Sequence, residues 1–529
     1  RKNGLELGAY AFGARQYQPG NLDLQQKTYL DKTWNQKSEI RHTGIVEAMN
    51  FRLDASYQLD ANNSIGANFG ILRNPKQTTN GDMSTSILQD EDLSESSDSH
   101  IDIFEQKSTL SSNVYYVGKL GKLGIDFNTD WLWSKNNEDD VTKEQYQEVG
   151  MDAQSQTVHS LTNKYYHLLA SKLELSYPLL GGNLSLGGEY SNTHRTSKYQ
   201  VVPTNLVSDD DSRITESMTS SFLTYSRDFG NLSMEAGLRY EYIDFNYYEY
   251  GKYVPEQSKS YGNWFPSISL SMPVGKVQMQ LSYAADINRP SYYYLRSGIQ
   301  YANRYTYETG NPFLVSEIRK NLNYELAYKW LTFDMTYCHT SNPIMSTVET
   351  YKDNPVIGLM KPVNENSYND VEASINLRPS FGIWYPSFTA SVDKQWFDME
   401  THDGKSLNKP MASFRFDNTL DTKLGMFTWM MSYVTKGHEK NQYLYKPMFC
   451  TNVSAYKAFL KDRLSLELFI YDLFGTSDPH VIAHFGKMKE TVHDGSSTSK
   501  VSLTVRYKFN TTRSKYKGTG AGESQKNRM

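Results

Sequence analysis

Val501, Leu503, Val505, Tyr507 and Phe509 alternate with Ser502, Thr504, Arg506 and Lys508 near the end of the chain. A period of two puts one set of side chains on each face of a β-strand. Slipping the register by one residue would turn Arg506 and Lys508 to the apolar side, so the pattern fixes its own parity. The same alternation runs from Ile45 to Leu59. Its odd positions include Met49, Phe51, Leu53, Ala55 and Tyr57, and its even ones Asn50, Arg52, Asp54, Ser56 and Gln58. Glu47 interrupts the apolar face and is expected at or above the edge of the apolar band, where a charge costs little. After Asp60 to Asn63 the pattern resumes with Ile65, Ala67, Phe69 and Ile71, which predicts a hairpin.

Turn signals of the same kind occur at Gly121-Lys122, Pro178 to Asn183, Asp228 to Asn231 and Pro273 to Lys276. Others lie near Trp330, at Pro379 to Gly382, at Asp421 to Gly425 and at Lys461 to Arg463. With an opening strand at Leu5 to Ala11 and a closing one at Val501 to Phe509, these turns predict about twenty strands. Much longer polar stretches separate the hairpins: Arg73 to Glu105, Lys135 to Val158, Asn192 to Glu216 and Phe474 to Lys500. Aromatics follow the same division. Tyr57, Tyr177, Tyr225 and Tyr328 precede short turns, whereas Trp131, Trp133, Tyr190, Tyr240, Tyr242, Tyr283 and Tyr433 precede long connections.

The pattern predicts an all-β fold, a transmembrane antiparallel up-and-down β-barrel of about 20 to 22 strands with aromatic girdles at both interfaces. Short turns are then periplasmic, long loops extracellular and both termini periplasmic, in the outer membrane of a Gram-negative bacterium. A soluble β-array or propeller shares the alternation. It does not explain alternating short and long connections without a repeat of fixed length.

Composition removes alternatives to this picture. A mean hydropathy of -0.63 and an apolar content of 38% exclude a helical membrane protein, and no apolar run is long enough for a spanning helix. A barrel tolerates such values because only alternate residues meet lipid. Tyr is the extreme residue, with 40 copies, and suits interfacial girdles because its ring is apolar and its tip polar. Two cysteines, Cys338 and Cys450, are too few for a disulfide framework or a thiolate metal cluster. A net charge of -4 gives no reason to expect a nucleic-acid partner. The chain opens at Arg1 with no signal-peptide pattern, which is expected of a processed or shortened chain.

Ile287-Asn288-Arg289-Pro290-Ser291, followed by Tyr307-Glu308-Thr309-Gly310-Asn311-Pro312-Phe313-Leu314, closely resembles the central signature of the barrels of TonB-dependent receptors. The resemblance extends to Leu322-Asn323-Tyr324-Glu325, to Tyr471-Asp472-Leu473-Phe474, and to Arg506-Tyr507-Lys508-Phe509-Asn510 with the tail Ser514 to Gly522. It implies a barrel of about twenty-two strands, an N-terminal plug domain inside it, and uptake of a scarce solute coupled to the inner-membrane TonB complex. The solute class, siderophore, carbohydrate or peptide, stays open. The implied partners are outer-membrane lipid, the TonB complex through a plug missing from this sequence, a small-molecule or oligomeric nutrient, and a surface lipoprotein. Residues 1–510 are expected to be the barrel, short of some upstream strands, and residues 511–529 a basic, glycine-containing tail. The alternative is a passive porin or a surface-binding barrel without energy coupling.

Candidate sites cluster on tyrosines. Tyr292, Tyr293, Tyr294, Tyr301, Tyr305 and Tyr307 offer flat amphipathic rings suited to sugar or peptide ligands, or they pack the signature loop against the barrel rim. Tyr247, Tyr248, Tyr250 and Tyr253 form a further cluster. Arg289, Pro290, Asn311, Pro312 and Phe313 of the signature are expected to be structural. The acidic runs Asp90-Glu91-Asp92 with Glu95 and Asp98, Glu138-Asp139-Asp140 and Asp209-Asp210-Asp211 lack the spacing of an EF-hand loop, so solvated loops are expected there. His480, His484 and His493 share one long connection but no helical face, so no metal is assigned. No catalytic residue and no cofactor is expected, because no nucleophile elbow, zincin helix or phosphate loop occurs.

Overall fold

The computed structural model describes residues 4–508 and 516–529. Its longest strands are the first nine in sequence: β1 (Leu5–Tyr29), β2 (Thr33–Gln58), β3 (Ser64–Gln89), β4 (Asp92–Leu120), β5 (Leu123–Glu148), β6 (Gln154–Leu179), β7 (Gly182–Val202), β8 (Asp210–Phe229) and β9 (Leu232–Glu249). Each pairs antiparallel with the next. The meander continues through Lys259–Val274, Val277–Asn288, Glu317–Tyr328, Leu331–Ser341, Tyr368–Leu377 and Trp384–Trp396. It ends with Met411–Thr422, Gly425–Val434, Met448–Phe459, Leu464–Tyr471 and Lys500–Tyr507. These are twenty strands in one up-and-down order, joined at the turn end by the nine short connections that the sequence predicts. Phe509, the last residue of the expected closing strand, lies outside the described residues with Asn510, Ser514 and Lys515.

The apolar band is narrow and lies nearest the turns. Exposed Leu5, Leu7, Met49, Phe51, Leu53, Ile65 and Phe69 form its outer face, while Ser56, Ser64, Asn113, Asn128 and Asp130 are buried on the lumenal side. Exposed Tyr57 and Tyr177 mark its lower edge, and exposed Trp131, Tyr190, Tyr242, Trp264 and Tyr433 its upper edge. Trp131 is level with Leu169, eight residues before Tyr177 on β6. That is about 26 Å along the strand, close to the height of an outer-membrane apolar band. Glu47 sits just above this band beside Arg15, at 3.6 Å, as expected of it.

Above the band the structure departs from the expected loops. β3 and β4 continue as paired strands up to a two-residue turn at Asp90 and Glu91, whose φ angles are 48° and 79°. β5 and β6 likewise stay paired from Glu138 to Tyr146, so most of Lys135 to Val158 is barrel wall. Asn192 to Glu216 is mainly the paired ends of β7 and β8. The stretch Phe474 to Lys500 contains a hairpin of His480–Phe485 and Met488–Asp494. Strands β2 to β6, at 26 to 29 residues, are more than twice the length a bilayer requires.

Among the described residues, the sheet closes on itself at its loop end, where Met488–Asp494 pairs with Leu22–Thr28 of β1. Nearer the turns, Leu7–Asn21 of β1 and Val501–Val505 are not paired with each other. A second sheet lies inside the loop end. Its order is Ile299–Asn303, Thr306–Thr309, Asn354–Asn364 and Ile344–Tyr351, with the two hairpins joined by a parallel pairing of Thr306–Glu308 with Gly358–Met360.

Candidate ligand-binding mouth

The connection after Asn288 turns inward because its first residues are tied to the lumen wall. Arg289 pairs with Glu241, both being buried, and Pro290 ends the strand. The Tyr294 amide donates to Ser291 O at 3.0 Å and closes a tight turn. Tyr292 is fully buried and donates its hydroxyl to Glu216 at 3.1 Å. Tyr293 donates to Glu308 at 2.8 Å, and the Arg296 guanidinium lies 3.8 Å above its ring. Gly310 passes so close to this turn that a Cβ would sit 2.4 Å from Arg296 O and 2.6 Å from Tyr294 O. Asn311 then caps the passage: its side chain donates to Pro362 O at 3.1 Å and accepts from the Phe313 amide at 3.0 Å.

The inner hairpin is held against the wall by phenols and carboxylates. Tyr301 donates to both oxygens of Glu144 at 2.7 Å, and its own amide donates to the Tyr199 hydroxyl at 3.0 Å. Glu95 accepts from Arg304 at 2.6 Å and from Tyr305 at 3.0 Å, while Arg304 stacks 3.4 Å over Tyr146. Burial, followed by the Glu144 charge, raises the Tyr301 phenol far above its ordinary pKa; burial and then Glu95 do the same for Tyr305. Burial pushes Tyr307 up to about 12, and also Tyr293 to about 12. These phenols therefore stay neutral hydrogen-bond donors at any physiological pH. A cavity of about 420 Å³ opens beside them, lined by Trp34, Glu95, Glu148, Arg304, Tyr305 and Asn354. Its walls combine aromatic faces, carboxylates and one guanidinium, a set suited to a small polar ligand with several hydrogen-bonding groups.

Residues 118–507 match the model of the outer membrane protein beta-barrel family. The chain belongs to that family. Among solved structures, the copper transporter OprC superposes on 92% of this outer-membrane barrel and 81% of its own chain, at 10% identity and a TM-score of 0.54. FpvA of Pseudomonas aeruginosa, solved with a heterologous pyoverdine and iron, covers 90% of this chain and 71% of its own, at 10% identity and a TM-score of 0.50. At such identities the likeness establishes a shared fold. No curated protein matches the sequence. Family membership places the barrel in the outer membrane.

Within this outer-membrane barrel, Tyr292, Tyr301, Tyr305 and Tyr307 are buried, and Tyr293 and Tyr294 are half-buried. All but Tyr292 and Tyr294 belong to the inner hairpin or contact it directly through hydrogen bonds. Of the signature residues, Phe313 remains exposed and Arg289 is buried. Tyr247 is fully buried and shares a hydrogen bond with the Ser297 hydroxyl at 2.9 Å, whereas Tyr248 and Tyr253 meet edge-on at the rim.

The acidic runs have partners. Asp90 accepts from the Thr33 amide at 2.9 Å, Asp98 from Ser84 at 2.6 Å and Asp209 from the Val201 amide at 3.0 Å. Asp139 contacts His159 at 2.8 Å, and Asp211 contacts Lys198 at 2.9 Å. Burial lifts both Asp140 and Asp210 to about 6. His484 exchanges hydrogen bonds with Asn441, away from the other two histidines. His480 and His493 face each other across their hairpin with rings 4.1 Å apart, and both contact Asp478. This convergence has a sequence signal, because the two lie at similar distances on either side of the Gly486-Lys487 turn.

Proposed function

We propose that the chain is the barrel of a TonB-dependent outer-membrane receptor that takes up a scarce solute captured at its mouth. The observation that carries this reading is the mouth itself: a four-stranded inner sheet, anchored to the wall by the partly buried Arg304–Glu95 pair, lies across one end of a twenty-strand barrel of the matched family. An open porin has no use for so firmly seated an obstruction, whereas a ligand-gated channel does. The fold shared with a copper transporter and with a pyoverdine-bound protein agrees with this reading.

The same proposal divides the protein into a barrel at residues 1–510 and a tail at 511–529, preceded in the whole protein by further strands and a plug. The unpaired seam between Leu7–Asn21 and Val501–Val505 is where two more strands would complete the cylinder. On the lumenal side of this seam Tyr10 and Phe12 are exposed opposite Arg52 and Asn50, a surface suited to a plug. The turn end is periplasmic, so that the plug meets the TonB complex there, and the loop end offers the cavity beside Trp34, Arg304 and Tyr305 to the solute and its rim to any surface lipoprotein. Planar-bilayer recording on the full gene product tests the reading. We expect a closed barrel that conducts only after plug deletion; steady conductance of the intact product would instead establish a passive porin.

A further inference from the structure

The segment Tyr516–Met529 runs along the inside of the barrel. The Tyr516 hydroxyl donates to Asn113 of β4, and its ring meets Tyr115 edge-on at 4.9 Å. The amides of Thr519 and Gly520 donate to Asn128 of β5 at 3.1 and 3.2 Å, and the Gly522 amide donates to Glu189 of β7 at 2.7 Å. Lys526 pairs with Asp130 of β5, and Arg528 pairs with Glu216 of β8 at 2.5 Å. Charge complementarity therefore extends along the wall, with carboxylates below and cations on the segment.

Shape complements charge. Gly522 has a φ of +68°, and a Cβ there would sit 2.6 Å from the Cβ of Ala170. A Cβ on Gly518 would sit 2.5 Å from the Asn113 side-chain oxygen. The glycines are needed where the segment presses closest to the wall.

The far end of the segment completes the signature turn. Tyr292 N donates to Arg528 O at 3.1 Å, and Arg528 Nε donates to Pro290 O at 3.0 Å. Arg289 donates to Ser524 at 3.2 Å, and the Arg528 guanidinium lies 4.2 Å over the Tyr292 ring. The Tyr292 amide and the Pro290 carbonyl are held by this segment, and unpaired buried backbone groups are costly, so this part of the turn depends on it. We propose that Tyr516–Met529 is a lumenal latch: a basic, glycine-jointed peptide bound in an acidic cradle on β5, β7 and β8, holding the Arg289–Tyr294 turn from below. Release of the latch frees the turn that anchors the inner mouth sheet, which links the lumen to the ligand-facing hairpin.

The test uses the full-length protein with Cys338 and Cys450 changed to Ser. Asn128→Cys with Thr519→Cys should form a disulfide under mild oxidation in the folded barrel, identified by heat-modifiable migration. Arg528→Glu should lower the disulfide yield about tenfold, and Arg528→Glu with Glu216→Arg should restore it to within about twofold. Tryptic cleavage after Arg296 should rise in Arg528→Glu and return to its starting level in Arg528→Glu with Glu216→Arg. Absence of the disulfide in folded protein, or a yield unaffected by Arg528→Glu, would overturn the latch. Neither result bears on whether the receptor is plugged, which the conductance measurement decides.

Discussion

At the residue scale, Asp210 shows how the wall above the membrane trades charge for burial. It is buried near the tip of β8, and burial, with a smaller push from Glu249, raises its carboxyl to about 6; a hydrogen bond from Ser212 offsets this only in part. A carboxyl whose pKa is raised by folding favours the protonated form. Its contribution to stability is full below about 3.9 and is lost as pH rises through about 6. The β7–β8 tip should therefore be more protected from amide exchange at pH 4.5 than at pH 7.5. Asp210→Asn should remove that difference and slow exchange of the Arg213 to Thr215 amides at pH 7.5, by an amount worth at most about 3 kcal/mol. Equal pH dependence in the variant would show that Asp210 is not the group responsible.

At the scale of elements, the inner hairpin is held by few, strong contacts, and Glu95 supplies two of them through Arg304 and Tyr305. Removing one partner of a largely buried pair leaves the other desolvated and unpaired, at a cost of about 3 to 5 kcal/mol when fully buried and less at this partly open site. Glu95→Ala should expose the peptide bond after Arg304 to trypsin while barrel migration stays unchanged, and Glu95→Gln should give an intermediate rate. An uncut Glu95→Ala variant would mean that Glu144 and Tyr199 suffice to hold the hairpin. Neither anchor could be read from the sequence, since Glu95 is separated from Arg304 by about two hundred positions and sits in a run that looks like a solvated acidic loop. The turns and lipid-facing strands were legible because membrane burial enforces strict alternation. The strand extensions were not. In β3 the residues around Pro75 form a bulge that reverses parity, so exposed Ile65 and Phe69 share odd numbering with buried Met83, Thr85 and Ile87. Serine and threonine also fill many inner positions of β3 and β4, which hides the period of two.

At the scale of the whole molecule, every functional statement depends on which side of the membrane the inner sheet faces. The girdles fix the barrel's depth, and the wall of β3 to β6 rises far above the upper one while the turns barely clear the lower one. If the turn end is periplasmic, a cysteine at Glu91 or Asp152, both exposed at strand tips, reacts with a membrane-impermeant thiol reagent on intact cells. Asp210 is unsuitable for this purpose because it is buried. A cysteine at Lys122 or Lys276, on short turns, should react only after the outer membrane is permeabilised. The background needs Cys338 and Cys450 changed to Ser, since Cys450 is only half-buried. Reversed labelling would put the tyrosine-rich mouth in the periplasm and end its role in capturing external solutes. Equal labelling at all four positions would mean that no bilayer separates the two ends, and the exposed band of Leu5, Leu7, Phe51 and Leu53 would then need another partner.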